Sequence, residues 1–333
     1  MSLCHALFRR LISCKLHGRV VLSGVLALTA ICAAPAIAQE WPTRPVRVIL
    51  PFAPGGSSEF LTRVVTDELT KRFKQTFLID SRPGAGGVIG MEFAARAAPD
   101  GYTLGITGIA PLIIAPAMNP ATFDPMKSFA HIALFGGAPE MIVLHPSVPV
   151  RNIKELLVYA KAQPRGFSYA TAGVGTKGHL LGVLFAELSG ANIVHIPYKG
   201  GGPVITDLVA NQVPSAISTV VSVAPLLKAG KIRALGVSSP KRMADFPDVP
   251  TFGEEGYPDL LGTSWFAVSG PAGLAPAIVN RLNAEVRRVL ASPEVRQKLD
   301  PQGIEANDLD PAQFTEYVRT ELKRWGTVAA RVK

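Results

Sequence analysis

Two segments combine residue types suited to holding an anion without covalent chemistry. Pro54-Gly55-Gly56-Ser57-Ser58 and Gly173-Val174-Gly175-Thr176-Lys177-Gly178-His179 each lie between an apolar β-type run and a helical pattern. A helix N-terminus leaves backbone N–H groups unpaired and carries the positive end of the helix dipole, so it attracts anions. Ser57, Ser58 and Thr176 add hydroxyl donors. Two such loops facing each other across a cleft could grip a carboxylate without an arginine. The plainer role of the same residues is N-capping by Ser and Thr.

Patterns for catalysis are weaker. His131, His145, His179 and His195 lack metal-ligand spacing and read as structural. Ser238-Ser239-Pro240-Lys241 matches the S-x-x-K pattern of a serine hydrolase in form only. Pro240 interrupts it and the companion K-T-G is missing. Gly84-Ala85-Gly86-Gly87-Val88-Ile89-Gly90 approaches a dinucleotide fingerprint, with the third glycine one place late and Pro83 in the turn. Its plain reading is a loop that packs close to a neighbour. No enzyme, no metal and no cofactor are expected.

The elements that position the two loops alternate. Val46 to Phe52 reads as a buried strand and Ser58 to Lys74 as a helix with Leu61, Val64, Val65, Leu69 and Phe73 on one face. Phe77 to Asp80 and Tyr102 to Thr107 are further strands, separated by a helix over Val88 to Ala97. This β-α-β-α-β order predicts a parallel sheet covered by helices. The middle repeats it, with strands at 141–144, 167–171, 194–196, 216–218 and 234–238 and helices at 153–163, 179–188 and 201–210. Two helices, about 276–291 and 311–329, end the chain. With 333 residues, two domains are expected. No linker separates them, so the chain is expected to cross between them more than once.

The first forty residues indicate export. Arg9, Arg10, Lys15 and Arg19 precede the apolar stretch Val20 to Ala34, and Ala36-Ile37-Ala38 forms a small-x-small cleavage site before Gln39. Residues 1–38 are thus expected to be a cleaved signal peptide. Ile31 before Cys32 is a poor lipidation context. Cys4, Cys14 and Cys32 leave with the signal, so the mature chain has no thiol chemistry. The four basic residues leave as well, and the formal charge falls from +9 to +5. That mild excess, without a basic stripe, does not support nucleic-acid binding. A composition of 48% hydrophobic and 18% charged residues excludes global disorder.

Longer stretches carry a resemblance. They include WPTRPVRVILPFAPGGSSE (Trp41 to Glu59), SRPGAGGVIG (Ser81 to Gly90), APDGYTL (Ala98 to Leu104) and YATAGVGTKGHL (Tyr169 to Leu180). HIPYKGGGP (His195 to Pro203), GKIRALGV (Gly230 to Val237), FPDVPTFGEEGYP (Phe246 to Pro258) and PAGLAPAIVNRLNAEV (Pro271 to Val286) continue the set. Together they resemble the receptors of tripartite tricarboxylate transporters, the Bug family of periplasmic solute-binding proteins.

The resemblance implies an α/β chain with the type II periplasmic-binding-protein fold, two α/β lobes with a ligand cleft between them. One lobe would take 39–139 plus 262–333, the other 140–261. It implies a monomeric periplasmic receptor that delivers a small organic carboxylate (di-, tri- or aromatic) to a two-component membrane permease. The alternative role is a sensor that presents the same solute to a signalling receptor. A neighbouring permease gene would favour the first and a neighbouring sensor kinase the second.

The family's carboxylate-gripping loops correspond here to Phe52, Ala53, Gly55, Gly56, Ser57, Ser58 and Glu59, and to Thr171, Ala172, Gly173, Gly175, Thr176 and His179. Tyr198, Ser218 and the segment to Ser222 are implied wall residues. The chain departs from the family pattern at Glu59, where Asp is usual, and at Asn211-Gln212-Val213-Pro214, where an Asp is expected. The small apolar stretch Ala216 to Val221 admits an aromatic or otherwise less polar carboxylate.

Overall fold

The computed structural model describes residues 41–331, except 306. The export signal, its cleavage site and the three cysteines lie outside the described residues. In chain order the elements are β1 (Val46–Leu50), α1 (Ser57–Phe73), β2 (Phe77–Ser81), α2 (Val88–Ala95) and β3 (Thr103–Gly108). A π turn (Ala110–Ile114) leads into α3 (Ala115–Met118). Then follow β4 (Phe129–Leu144), α4 (Ile153–Lys161), β5 (Phe167–Thr171), α5 (Lys177–Ser189), β6 (Ile193–Pro197) and α6 (Gly201–Val209). Next come β7 (Ser215–Thr219), α7 (Val220–Lys228), β8 (Arg233–Val237) and β9 (Thr263–Pro271). The chain closes with α8 (Pro276–Ala291), α9 (Pro293–Leu299), α10 (Pro311–Glu321) and α11 (Thr327–Arg331). Among the described residues no helix is long and apolar enough to cross a membrane.

β1 lies between β2 and β3, all parallel, as the alternation of elements predicts. β5 is likewise parallel to β6 and β7. The sheet is not parallel throughout. β9 runs antiparallel to β3 and β4, and β4 runs antiparallel to β7 and β8.

β4 changes partners along its length. Its first stretch, Phe129 to Pro139, pairs with β9, and its last residues, Glu140 to Leu144, pair with β7 and β8. The chain returns between β8 and β9. The returning segment is tied to β4 where Ser238 N–H donates to Glu140 O (2.9 Å) and Gly262 N–H donates to Ser238 O (2.9 Å).

The sequence pattern finds only the last four residues of β4 and misses β9. Gly136, Gly137 and Pro139 are residue types that weaken a strand pattern, yet the strand passes through them with shifts of register at His131/Ala133 and Leu134/Gly136. β9 is buried on both faces, so it has no polar–apolar alternation to detect. α7 hides behind Pro225, and the predicted last helix is interrupted by a π turn at Leu322–Gly326.

Helix α1 packs Leu61, Val65 and Leu69 into one apolar cluster with Val46 and Val48 of β1 and Leu282 and Val286 of α8. Each such side chain stabilises the fold by roughly 1.5–3 kcal/mol when buried. A second cluster joins Leu180 and Leu184 of α5 to Ile217 of β7 and to Phe314 and Trp325 near the C-terminus.

His131 lies in this frame, its Nδ1 3.2 Å from Ser269 Oγ and its ring edge-on to Phe314. Burial pushes the imidazole down to about 4, against about 6.5 in an unfolded chain. The unfolded chain therefore takes up the proton first on acidification. Stability is complete above pH 6.5 and is lost as pH falls towards 4, by about 3 kcal/mol in full. His131→Gln should lose about 2 kcal/mol less than the wild type between pH 7 and 4.5 in denaturant titrations. Parallel acid profiles would assign the loss to other groups.

Candidate functional site

Four helix N-termini meet at one cavity. α1 brings Gly56, Ser57 and Ser58; α5 brings Thr176, Lys177 and Gly178. α6 brings Gly201, and α7 brings Thr219 and Ser222. Three of the four (α1, α6 and α7) have no side-chain cap, so their first-turn N–H groups are not engaged by a capping residue. Ile109 and Ala110 arrive from the end of β3 and the π turn, and Trp265 and Phe266 from β9. The space open to water centres is about 50 Å³. By that measure one water needs about 10–15 Å³, so the cavity suits a few waters or one small organic molecule. A wider groove of about 610 Å³, also bordered by Pro139, contains none of the residues selected for carboxylate binding, though Ser239, Pro240 and Lys241 of the S-x-x-K match line it.

The loops meet backbone to backbone. Ala53 N–H donates to Lys199 O (2.8 Å), and Gly55 and Gly56 lie against Gly201 and Gly202. The Gly84–Gly90 loop packs the same way. A Cβ on Gly86 would stand 2.3 Å from Val174 O. This is the close-packing role anticipated for its glycines, and it abuts the second loop.

Of the residues selected from sequence, Phe52, Gly56, Ser57, Ser58, Ala172, Thr176 and Ser218 line the cavity. The hydroxyls of Ser57 and Ser58 make no hydrogen bond among the described residues, so both are available to a ligand. Ala53, Gly55, Glu59, Thr171, Gly173, Gly175, His179 and Tyr198 are not in the lining.

Several of these build the loops instead. Glu59 Oε2 accepts the Gly55 N–H (2.6 Å), and Oε1 accepts from Arg63. Partial burial works against ionisation of Glu59, but the Gly55 N–H and Arg63 outweigh it and hold the carboxyl below its usual value. One backbone donor expected to serve a ligand is thus taken by the side chain at the family's variable acidic position.

Thr176 Oγ1 donates to Gly173 O (2.7 Å) and accepts the His179 N–H. Gly175 N–H donates to His179 Nδ1, and His179 stacks on His195 with ring centres 4.2 Å apart. His195 Nε2 pairs with Thr171 Oγ1 at 2.7 Å. Burial, with His179 as neighbour, lowers His195 to about 4, so the stack is neutral at pH 7. Tyr198 donates its hydroxyl to Asp207 at 2.6 Å. Thr176→Ala should therefore cost about 0.5–2 kcal/mol of stability as a lost cap.

Sequence reasoning missed Glu140 and Lys177, both in the lining. Lys177 sits inside the second motif, but a lysine in a helix's first turn normally reads as a solvated surface charge. Glu140 stands one residue before the predicted strand and carried no signal. Its backbone N–H donates to Ser238 Oγ (2.8 Å), and Ser264 Oγ donates to its Oε1 (2.6 Å). Burial pushes the Glu140 carboxyl up to about 7, opposed by the Ser264 bond and the Lys177 charge. Lys177 is 1% exposed, and its Nζ lies over the Trp325 ring, 2.9 Å from the centroid, without a hydrogen-bond partner. Burial drives its ammonium well below the ordinary value.

Ser238 does not have the setting of a nucleophile. Its hydroxyl donates to Gly262 O (2.6 Å) and accepts the Glu140 N–H, so it links the two chain crossings. Among the described residues no group of His, Cys, Asp or Glu could hold a metal ion.

Comparison with known proteins agrees with this arrangement. Residues 61–333 match the family model described as the tripartite tricarboxylate transporter family receptor. Protein BugT of Bordetella pertussis is 34% identical over 307 residues, 92% of this chain and 94% of the relative. Two solved structures superpose with TM-scores of 0.84 and 0.83: R. palustris Rpa4515 with adipate (33% identical) and MatC from Rhodopseudomonas palustris with bound malate (30% identical). They cover 88% and 87% of this chain, and 98% and 100% of their own. With a fold of the periplasmic-binding type and a cavity ringed by helix N-termini, the chain belongs to the tripartite tricarboxylate transporter receptor family, the Bug-type periplasmic solute-binding proteins.

Proposed function

We propose that the protein, once cleaved before Gln39, works in the periplasm as a receptor for a small organic carboxylate and hands it to a two-component membrane permease. The observation that carries this reading is the meeting of four helix N-termini, three without side-chain caps, at a small cavity with the free hydroxyls of Ser57 and Ser58. Uncapped N–H groups and the positive ends of the helix dipoles stabilise an anion there. The adipate and malate bound by the two similar structures are of the same chemical class.

The lobes are taken as 39–139 plus 262–333 and 140–261. The change of β4 partners between Pro139 and Glu140 and the return through Gly262 support those boundaries. Binding energy comes from several hydrogen bonds to the charged carboxylate, each worth about 1.5–3 kcal/mol, set against desolvation and hinge closure.

A thermal-shift screen of residues 39–333 against mono-, di-, tri- and aromatic carboxylates tests the reading. A ligand at 100 times its Kd adds about 2.7 kcal/mol, or a rise of roughly 5–10 °C for a chain of this size. Ser57→Ala should weaken the hit about tenfold by calorimetry with the ligand-free Tm unchanged. Unchanged affinity would move the site elsewhere. No shift with any acid, and no acid released on denaturation by mass spectrometry, would remove the receptor role.

A further inference from the structure

We infer that Glu140 determines specificity in the cleft by accepting a hydrogen bond from a donor group on the ligand, remote from its gripped carboxylate, and by rejecting a second carboxylate there. This rests on the receptor reading and narrows its substrate class to short monocarboxylates that end in a hydroxyl, amide or ammonium.

The geometry fixes the carboxyl firmly. Glu140 lies where the two chain crossings touch, and its N–H is held by Ser238 Oγ. Ser264 Oγ holds Oε1 at 2.6 Å. Oε2 has no hydrogen-bond partner among the described residues and is not fully shut off from open space, and the residue lines the cavity. That oxygen therefore opens onto the ligand space.

Lys177 does not take it, because its Nζ makes no hydrogen bond and lies on the face of Trp325. Of the other polar groups in the lining, Trp265 Nε1–H donates to Glu321 (2.9 Å), and the hydroxyl of Thr219, the strand partner of Glu140, pairs with Ser222. An acceptor left open beside an anion-binding end favours a ligand with a donor, and at pH 8 the ionised Glu140 repels the second carboxylate of a diacid.

The test is calorimetry at pH 8 on the full mature chain and on Glu140→Gln. The probes are straight acids of four to six carbons ending in methyl, hydroxyl, ammonium or carboxylate. The wild type should bind the hydroxyl- or ammonium-ended acid about ten- to hundredfold tighter than the diacid of equal length. Glu140→Gln should bring the two within about threefold, weakening the donor ligand and strengthening the diacid.

A wild-type preference for the diacid, or a donor preference that survives in Glu140→Gln, overturns the inference and leaves the receptor reading standing. If no acid of the series binds the wild type, the inference fails, and the wider carboxylate screen decides the receptor reading separately. Should the variant not fold, the wild-type ranking decides alone.

Discussion

Gly202→Ala should lower carboxylate affinity by about a hundredfold while the protein folds as before. Gly202 is the second residue of α6, and a Cβ there would stand 2.1 Å from Pro54 O and 3.0 Å from Gly55 Cα. Both are backbone atoms, so no side chain can turn aside to make room. The first loop and the start of α6 must then separate by about 1 Å, which moves the α1 and α6 N-termini apart.

The isolated helix gains from the change, because Ala is favoured over Gly by about 1 kcal/mol. Under the receptor reading, the cost therefore falls on the ligand-closed arrangement. A ligand that needs closure loses affinity in proportion to the fraction of molecules able to close. Calorimetry with the ligand found by thermal shift, and small-angle scattering with and without it, would measure this. The wild type should contract on binding and the variant should not. Affinity within threefold of the wild type would mean that closure does not depend on this contact.

Lys177→Met should raise Tm by about 3–12 °C and weaken ligand binding. A buried ammonium without a hydrogen-bond partner destabilises the fold. The Trp325 face returns only about 2 kcal/mol. Met fills similar volume without the charge, and such replacements are worth about 1–4 kcal/mol.

The pH dependence separates this from a packing effect. The folded-state value of Lys177 lies below its unfolded value of about 10.4. Wild-type stability therefore falls as pH drops from that value, and the advantage of the variant should shrink as pH rises towards 10. A Tm below that of the wild type would identify Lys177 as a structural cation. The loss of binding follows because the substitution removes the ammonium that lines the cleft and the opposite charge that draws Glu140 towards ionisation. A destabilising group retained in a binding cleft is the expected trade of stability for function.

Local chemistry made the two gripping loops legible from sequence. Gly55-Gly56-Ser57-Ser58 and Gly173 to Thr176 are readable because a strand, a glycine turn and an apolar helical stripe follow one another along the chain. The parallel strands β1, β2 and β3 were readable for the same reason, since each carries its own apolar run.

What joins the parts was not readable. β9 and most of β4 are buried on both faces and carry glycines, so neither period nor propensity marks them. The meaning of Glu140 depends on Ser238 and Ser264, 98 and 124 residues away. Glu59 lies outside the lining and Thr176 within it, yet both already hold loop backbone, because sequence shows a donor or acceptor but not the partner that occupies it. The order of local elements is set by short-range sterics and hydrophobic spacing. Which oxygen or ammonium remains free to meet a ligand is decided only when distant segments pack, because that alone determines which polar groups satisfy one another.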